Sequence, residues 1–285
     1  MTDNILYHAD ARDMSYIPAE SVHLILTSPP YFNLKEYRRG RCQLGLIPDY
    51  QQFIDELEKV WRECYRILVP GGRIVCVVGD VCLSRRKYGR HVVLPLHSDI
   101  AVSCRKIGFD NLNPILWHKI SNAAFEANTS SSILGKPYEP NAVIKNDVEY
   151  ILMQRKPGGY RKPTEQQRER SRLSKEDFRK WFTQIWELPG ASTRNGHPAP
   201  FPLELATRLV KMFSFSEDVV VDPFCGSGTT LLAALTLNRR CIGVETEELY
   251  CQYTLNRIQR MGDAIYPIQY IDVSHEPDAA IAQAV

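Results

Sequence analysis

The run Val219-Val220-Val221-Asp222-Pro223-Phe224-Cys225-Gly226-Ser227-Gly228-Thr229-Thr230 constrains the chain more than any other segment. A β-branched strand passes without a linker into a glycine turn, and the turn opens a helix. Glycines there let backbone approach a ligand closely, and the free N–H groups of a helix start suit an anionic group such as a carboxylate. The next strand ends in Gly243-Val244-Glu245, and an acid at a strand tip is suited to ribose hydroxyls. Together these features describe an adenosine-type cofactor at the switch point of a doubly wound sheet. Two rivals fail residue by residue. G-x-G-x-x-G needs glycine or alanine at 231, where Leu231 stands, and no G-K-[ST] occurs to cradle the phosphates of ATP or GTP.

The rest of the chain supplies such a sheet. Apolar β-branched runs predict strands at Ile5–His8, Val22–Thr27, Arg73–Gly79, Pro114–His118, Val148–Gln154, Asp218–Asp222 and Cys241–Glu245. Apolar residues at i, i+3/i+4 from Asp49 to Leu68 predict an amphipathic helix ended by Pro70-Gly71-Gly72. Further helices are predicted over Val93–Ile107, Pro202–Phe213, Thr229–Asn238 and Glu247–Met261. The fold class is therefore α/β, a doubly wound, mostly parallel seven-stranded sheet. Residues 1–272 read as one domain, with 155–185 as an insertion and 273–285 as a C-terminal tail. Ser121–Pro140 reads as a long loop. With 44% apolar residues among 285, the chain has ample material for a core, and no apolar stretch is long enough for a membrane helix. Eight scattered cysteines without a C-x-x-C pair, in a sequence whose start lacks signal-peptide features, are expected to be reduced and packed. No metal site is expected.

A net charge of +2 hides an uneven distribution. From Arg155 to Trp181, ten basic residues face four acids, a balance of +6. Arg161, Lys162, Arg168, Arg170 and Arg172 belong to this segment, and Arg38, Arg39 and Arg86 to two shorter basic clusters. Such a segment is either a solvated helix face or the footprint of a polyanion.

A second segment, Thr27-Ser28-Pro29-Pro30-Tyr31, closes an apolar strand. Two prolines fix φ and remove two donors, leaving a stiff rim of carbonyl oxygens, one hydroxyl and an aromatic face. That rim can accept hydrogen bonds from an exocyclic amine and stack on a flat base.

In these motifs the sequence resembles the S-adenosyl-L-methionine-dependent amino-methyltransferases of DNA, in the permuted β-class arrangement. Thr27-Ser28-Pro29-Pro30-Tyr31 matches the family's catalytic motif, and Asp222–Thr230 its cofactor motif. His197-Pro198-Ala199-Pro200-Phe201-Pro202 matches the segment preceding the cofactor motif, and Tyr7-His8-Ala9-Asp10 a strand whose acid lies near the adenine. The likeness runs from Ile5 to about Ile258 and places target recognition in the basic insertion. It implies a circularly permuted Rossmann-like methyltransferase fold with S-adenosyl-L-methionine as cofactor. The implied substrate is double-stranded DNA, in a setting of restriction-modification or epigenetics, with any cognate restriction endonuclease a separate protein. A prokaryotic cytoplasmic protein, monomer or homodimer, is expected.

The implied reaction is direct displacement at the sulfonium methyl by an exocyclic amine. Ser28 and the Pro29 carbonyl would accept from the NH₂, and Pro30 would stiffen the rim. Tyr31 would stack on a flipped base. Asp10, Phe201, Asp222, Phe224, Gly226, Gly228, Thr229 and Glu245 would line the cofactor site. A serine ahead of Pro-Pro-Tyr points to N4 of cytosine rather than N6 of adenine, which remains the alternative of the same class. An RNA methyltransferase or an inactive DNA-binding relative is further off. Carbon-5 cytosine chemistry is excluded, because no cysteine follows a proline. His197 reads as structural, and Trp181 and Trp186 as core.

Overall fold

Short apolar strands that alternate with amphipathic helices leave a chain few ways to bury both faces of each strand, and stacking the strands in parallel with helices on both sides is one. The computed structural model describes residues 4–32, 44–83, 88–119, 140, 144, 146–190, 201–262 and 267–273. Its strands are β1 (Ile5–His8), β2 (Val22–Thr27), β3 (Leu68–Val78), β4 (Val81–Leu83), β5 (Val92–Leu94), β6 (Asp110–Asn111), β7 (Ile115–His118), β8 (Val148–Arg155), β9 (Ile185–Glu187), β10 (Val219–Asp222), β11 (Arg240–Glu245) and β12 (Gln269–Asp272). The main sheet has ten strands in the order β12-β1-β11-β10-β2-β3-β8-β7-β9, with β6 on the flank of β8. All seven predicted strands are present. Three more extend the sheet: β12 beside β1, β9 beside β7, and β6. Pairing is parallel from β12 to β3 and antiparallel where β8 meets β3, β6 and β7. β4 and β5 form a separate antiparallel ribbon.

Helices α1 (Tyr50–Ile67) and α2 (Leu96–Ile107) cover one face of the sheet. Two short helices, α3 (Glu165–Arg170) and α4 (Lys175–Trp181), lie in the basic segment. The other face carries α5 (Leu203–Phe213), α6 (Thr229–Thr236) and α7 (Glu248–Gly262). The Asp49 carboxylate caps α1 by accepting from the Gln52 N–H at 2.8 Å, and one stripe of α1 is buried from Phe53 to Ile67. From β10 the chain winds through α6 to β11 on one side, whereas β2 winds through α1 to β3 on the other. The crossover direction thus reverses between β10 and β2, and the carboxyl ends of these two strands form a crevice.

One boundary differs from expectation. Pro70-Gly71-Gly72 does not merely stop α1; β3 starts at Leu68 and runs through it. Gly71 takes φ +79°, and the register against β2 slips between Val22 and Leu24. The triplet is a bulge inside a strand, stitched by Gly71 N–H to Lys156 O and Lys156 N–H to Gly72 O, both at 2.9 Å. The long loop expected at Ser121–Pro140 falls almost wholly outside the described residues, as do the tail from 274 and His197. Trp181 and Trp186 are buried in the core as expected, and the seven described cysteines are all free thiols.

Candidate active site

Four strand ends converge on one cleft at the carboxyl edge of the sheet. It is lined by Asp10 beyond β1, Ser28, Pro29, Pro30 and Tyr31 beyond β2, Pro223, Phe224 and Gly226 beyond β10, and Glu245 at the end of β11. Proximity follows from the parallel register, which pairs His8 with Glu245 and Val221 with Ile25. Residues 33–43 follow the Ser28 loop, and their described flank Leu44–Gly45 returns to the same cleft.

Glu245 is fixed by backbone. Its carboxylate accepts from the N–H of Gly226 at 2.7 Å and of Glu247 at 3.0 Å. Burial nevertheless pushes its pKa up to about 7. Asp10 is clamped by Arg12, whose guanidinium lies 2.5 Å away and also reaches Glu56. The ring of Phe224 meets Trp61 of α1 edge-on at 6.2 Å, so the helix stripe holds the cofactor loop from behind. Among the described residues, the lining includes the carboxylates of Asp10, Glu245 and Glu247 but no lysine or arginine. Such a cleft repels phosphate and suits a cationic ligand with an adenosine-like body against Phe224, Val244 and Tyr250.

The Ser28 loop is rigid for reasons beyond its prolines. The Tyr31 hydroxyl accepts from the Gly79 N–H at 3.3 Å and donates to Glu149 at 3.1 Å, and Glu149 is ion-paired with Lys119. The aromatic ring is thus anchored to the ends of β3 and β8. No hydrogen bond of the Ser28 hydroxyl is seen among the described residues, and Ser28 lines the cleft.

Several predicted cofactor residues sit elsewhere. Asp222 is 1% exposed and does not line the cleft; its carboxylate accepts from Thr27 and Thr230, each at 2.7 Å, and from the Phe224 N–H at 3.1 Å. It braces the crevice from beneath, with its pKa pushed by burial up to about 6. Gly228 and Thr229 form the buried start of α6. A Cβ on Gly228 would lie 2.5 Å from Thr254 Cγ2, so the close approach of α7 to this turn requires a glycine here. Phe201 is partly buried against the core of the face that carries α5 to α7 and does not line the cleft. Sequence reasoning quoted Thr27 without giving it a role, and missed Glu149, Lys119 and Tyr250. Only Tyr250, one turn past Glu247, carried a signal, an aromatic residue just after an acid-tipped strand.

The basic segment is not at this cleft. Arg161 pairs with buried Asp218, Arg170 with Glu217 at 3.0 Å, and Gln167 donates to the Ser216 carbonyl at 3.1 Å. Residues 216–218 precede β10, so α3 packs at the amino edge of the sheet. The five residue steps from His23 to Ser28 alone span roughly 17 Å of strand. Lys162, Arg168 and Arg172 are exposed at that far edge, whereas Arg38, Arg39 and Arg86 lie outside the described residues. The insertion, expected to carry target recognition, thus lies at the opposite strand ends from the cleft, a placement that charge density alone does not encode.

The family model described as DNA methylase, covering N6 and N4 types, matches residues 22–256. The type II methyltransferase M.MjaI of Methanocaldococcus jannaschii is 38% identical over 279 residues, covering 87% of this chain and 88% of its own. A DNA modification methylase of Thermus thermophilus, TTHA0409, solved in complex with S-adenosyl-L-methionine, is 52% identical with a TM-score of 0.77, covering 95% of this chain and 98% of its own. The cytosine-N4-specific PvuII DNA methyltransferase, at 19% identity and TM-score 0.63 over 94% of each chain, shares the fold. With its strand order, acid-lined crevice and Ser-Pro-Pro-Tyr rim, the chain belongs to the N6/N4 DNA methylase family.

Proposed function

We propose that this DNA methyltransferase moves the methyl group of S-adenosyl-L-methionine to the exocyclic N4 amine of a cytosine flipped out of duplex DNA. The observation that carries the proposal is the junction of two unlike surfaces in one cleft. One is an acidic, cation-tolerant half formed by Asp10, Phe224 and Glu245; the other is a neutral acceptor rim of Ser28 and Pro29. When bound, the cofactor supplies an activated methyl on a cationic sulfur.

The chain's own residues then have one main task, to place and polarise the amine. Delocalisation into the ring makes that nitrogen a weak nucleophile. The Ser28 hydroxyl and the Pro29 carbonyl accept its two N–H bonds and draw the lone pair out of the ring plane. Tyr31, held through Gly79 and Glu149, offers a fixed face for the extruded base. Glu245 and Asp10 take the ribose and adenine ends of the cofactor, and the Gly226 turn its methionine end. Asp222 and Thr27 keep the two halves in register. No base is needed before attack, because the proton leaves the positively charged amine readily afterwards.

Ser28 carries the choice of cytosine. In the family a serine ahead of Pro-Pro-Tyr accompanies N4 chemistry and an aspartate N6 chemistry; a hydroxyl accepts and donates, whereas an ionised carboxylate only accepts. Methylating duplex DNA with the purified protein, digesting to nucleosides and separating them by mass spectrometry tests the assignment. N4-methyldeoxycytidine is expected. A dominant N6-methyldeoxyadenosine peak would overturn the cytosine choice and leave displacement standing. Ser28→Ala is expected to lower the rate far more than cofactor affinity.

A further inference from the structure

A groove of about 800 Å³ runs along the amino edge of the sheet, between α3–α4 and the starts of β2, β3 and β10. Its walls carry Arg73, Arg168, Arg172, Lys175, Arg179 and Lys211. Among the described residues, the only carboxylate lining it is Asp218, which is already paired with Arg161. The acids of the same segment, Glu165, Glu169, Glu176 and Asp177, lie off the groove, so the two short helices segregate their charges. Arg168, Lys175, Arg179 and Lys211 have no carboxylate partner among the described residues, and Arg172 reaches only Glu169 at 3.8 Å. Arg73 is held over the Phe213 ring at 5.2 Å, and its buried Nε has no hydrogen-bond partner among the described residues.

Aromatic rings line the same walls. Phe178 and Phe182 stack on each other at 4.5 Å while staying 55% and 45% exposed, and Tyr160 is 77% exposed. Phe182 also meets Phe213 edge-on at 6.4 Å and Tyr160 takes the Arg155 cation at 5.9 Å, yet these contacts leave much of each ring open to the groove. Alternating phosphate-binding cations with open ring faces is how proteins hold unpaired nucleotides, since every base has a face to stack.

We infer that this groove is a second polynucleotide site, selective for single strands, separated from the Ser28 cleft by the width of the sheet. It would serve in this way whichever base is methylated.

The probe is a fluorescein-labelled oligothymidylate of about 12 nucleotides. Thymine has no exocyclic amine, so the probe offers nothing to methylate. Fluorescence anisotropy on the whole protein is expected to show binding that weakens at least tenfold in Arg168→Gln/Arg172→Gln/Arg179→Gln. The slope of log affinity against log salt is expected to fall by about 0.7 for each phosphate that the variant no longer neutralises. These three side chains are exposed, so the thermal midpoint should not move. Phe178→Ala is expected to weaken the probe severalfold, whereas Tyr31→Ala should leave it bound. Unlabelled duplex of the same length should compete less well than the single strand. Four outcomes overturn the inference: no binding by the parent protein, unchanged affinity and slope in the triple variant, loss of binding in Tyr31→Ala, or better competition by duplex.

Discussion

The hydroxyl of Thr27 donates to Oδ1 of Asp222 at 2.7 Å across the seam between β2 and β10, joining the strand that leads into Ser28 to the strand that leads into Phe224. Oδ2 of the same carboxylate takes the Thr230 hydroxyl from the first turn of α6. One buried acid thus holds together three elements that each carry part of the cleft.

Removing that acid should affect the fold before it affects any ligand. Asp222→Ala takes the acceptor from the Thr27 hydroxyl and the Phe224 N–H and leaves Thr230 only the Leu26 carbonyl, and we expect a loss of about 2–4 kcal/mol in chemical denaturation. Thr27→Val removes one hydrogen bond at nearly constant volume and should cost about 1–2 kcal/mol. Its kcat should fall more than its cofactor affinity, because the displaced residue is the neighbour of Ser28. Unaltered stability in Asp222→Ala would show that the brace carries no weight.

Glu245 makes an electrostatic prediction. Its native pKa, raised by burial to about 7, lies above the unfolded value near 4.3. Between these values the native chain keeps a proton that the unfolded chain has lost, so this group's contribution is greatest at acid pH and declines as pH rises through 7. Asp222, raised to about 6, acts the same way, whereas His23, lowered by burial to about 4, opposes both. Comparing the parent with Glu245→Gln isolates one contribution. The stability of the parent relative to the variant should fall from pH 5 to pH 8. A cationic ligand favours the ionised form, so calorimetry should find cofactor affinity rising over the same interval.

Tyr31 should depend on a residue it does not resemble in function. Glu149→Gln keeps the shape of the side chain but weakens both the Tyr31 hydrogen bond and the pairing with Lys119. A misplaced stacking face should lower kcat by roughly tenfold to a hundredfold with little change in cofactor binding. Equal loss of kcat and of thermal stability would mean that the pair supports the fold alone.

Gly228 tests the packing role of the glycine turn. Gly228→Ala combines φ +75° with a Cβ aimed at Thr254, and should destabilise by more than about 1 kcal/mol. Adding Thr254→Ala should recover part of the loss by removing the atoms in the way. If cofactor affinity falls while stability holds, the glycine faces the ligand after all.

The central strands could be read from sequence because Val219–Asp222 and Val22–Thr27 are buried on both faces and therefore apolar almost without interruption. The strands that escaped notice are short or half wet: Ile185–Glu187 buries only its middle residue, and none of Gln269–Asp272 is fully buried. Motif reading named Ser28, Tyr31 and Glu245, all of which line the cleft, because each sits in or beside a short distinctive run of sequence at a strand end. It did not anticipate the bonds of Asp222 to Thr27 and Thr230, because an acid beside a glycine turn looks alike whether it faces a ligand or two threonines. It also missed Glu149, 118 residues from Tyr31, since only the antiparallel pairing of β3 with β8 brings them together.

β1, from the start of the chain, lies between β11 and β12, from its far end, and Gln269 N–H reaches the Asn4 carbonyl at 2.9 Å. During synthesis the first strand therefore waits unpaired while more than two hundred residues are added. Asp10 cannot meet Glu245 until β11 has emerged, whereas β2, α1 and β3 can settle together early. The half bearing Ser28 can form on the ribosome, but the half that accepts the methyl donor is closed by the last strands to arrive. A nascent chain that has already assembled the rim around Ser28 has no donor pocket, and so no catalytic competence, until β11 has been made.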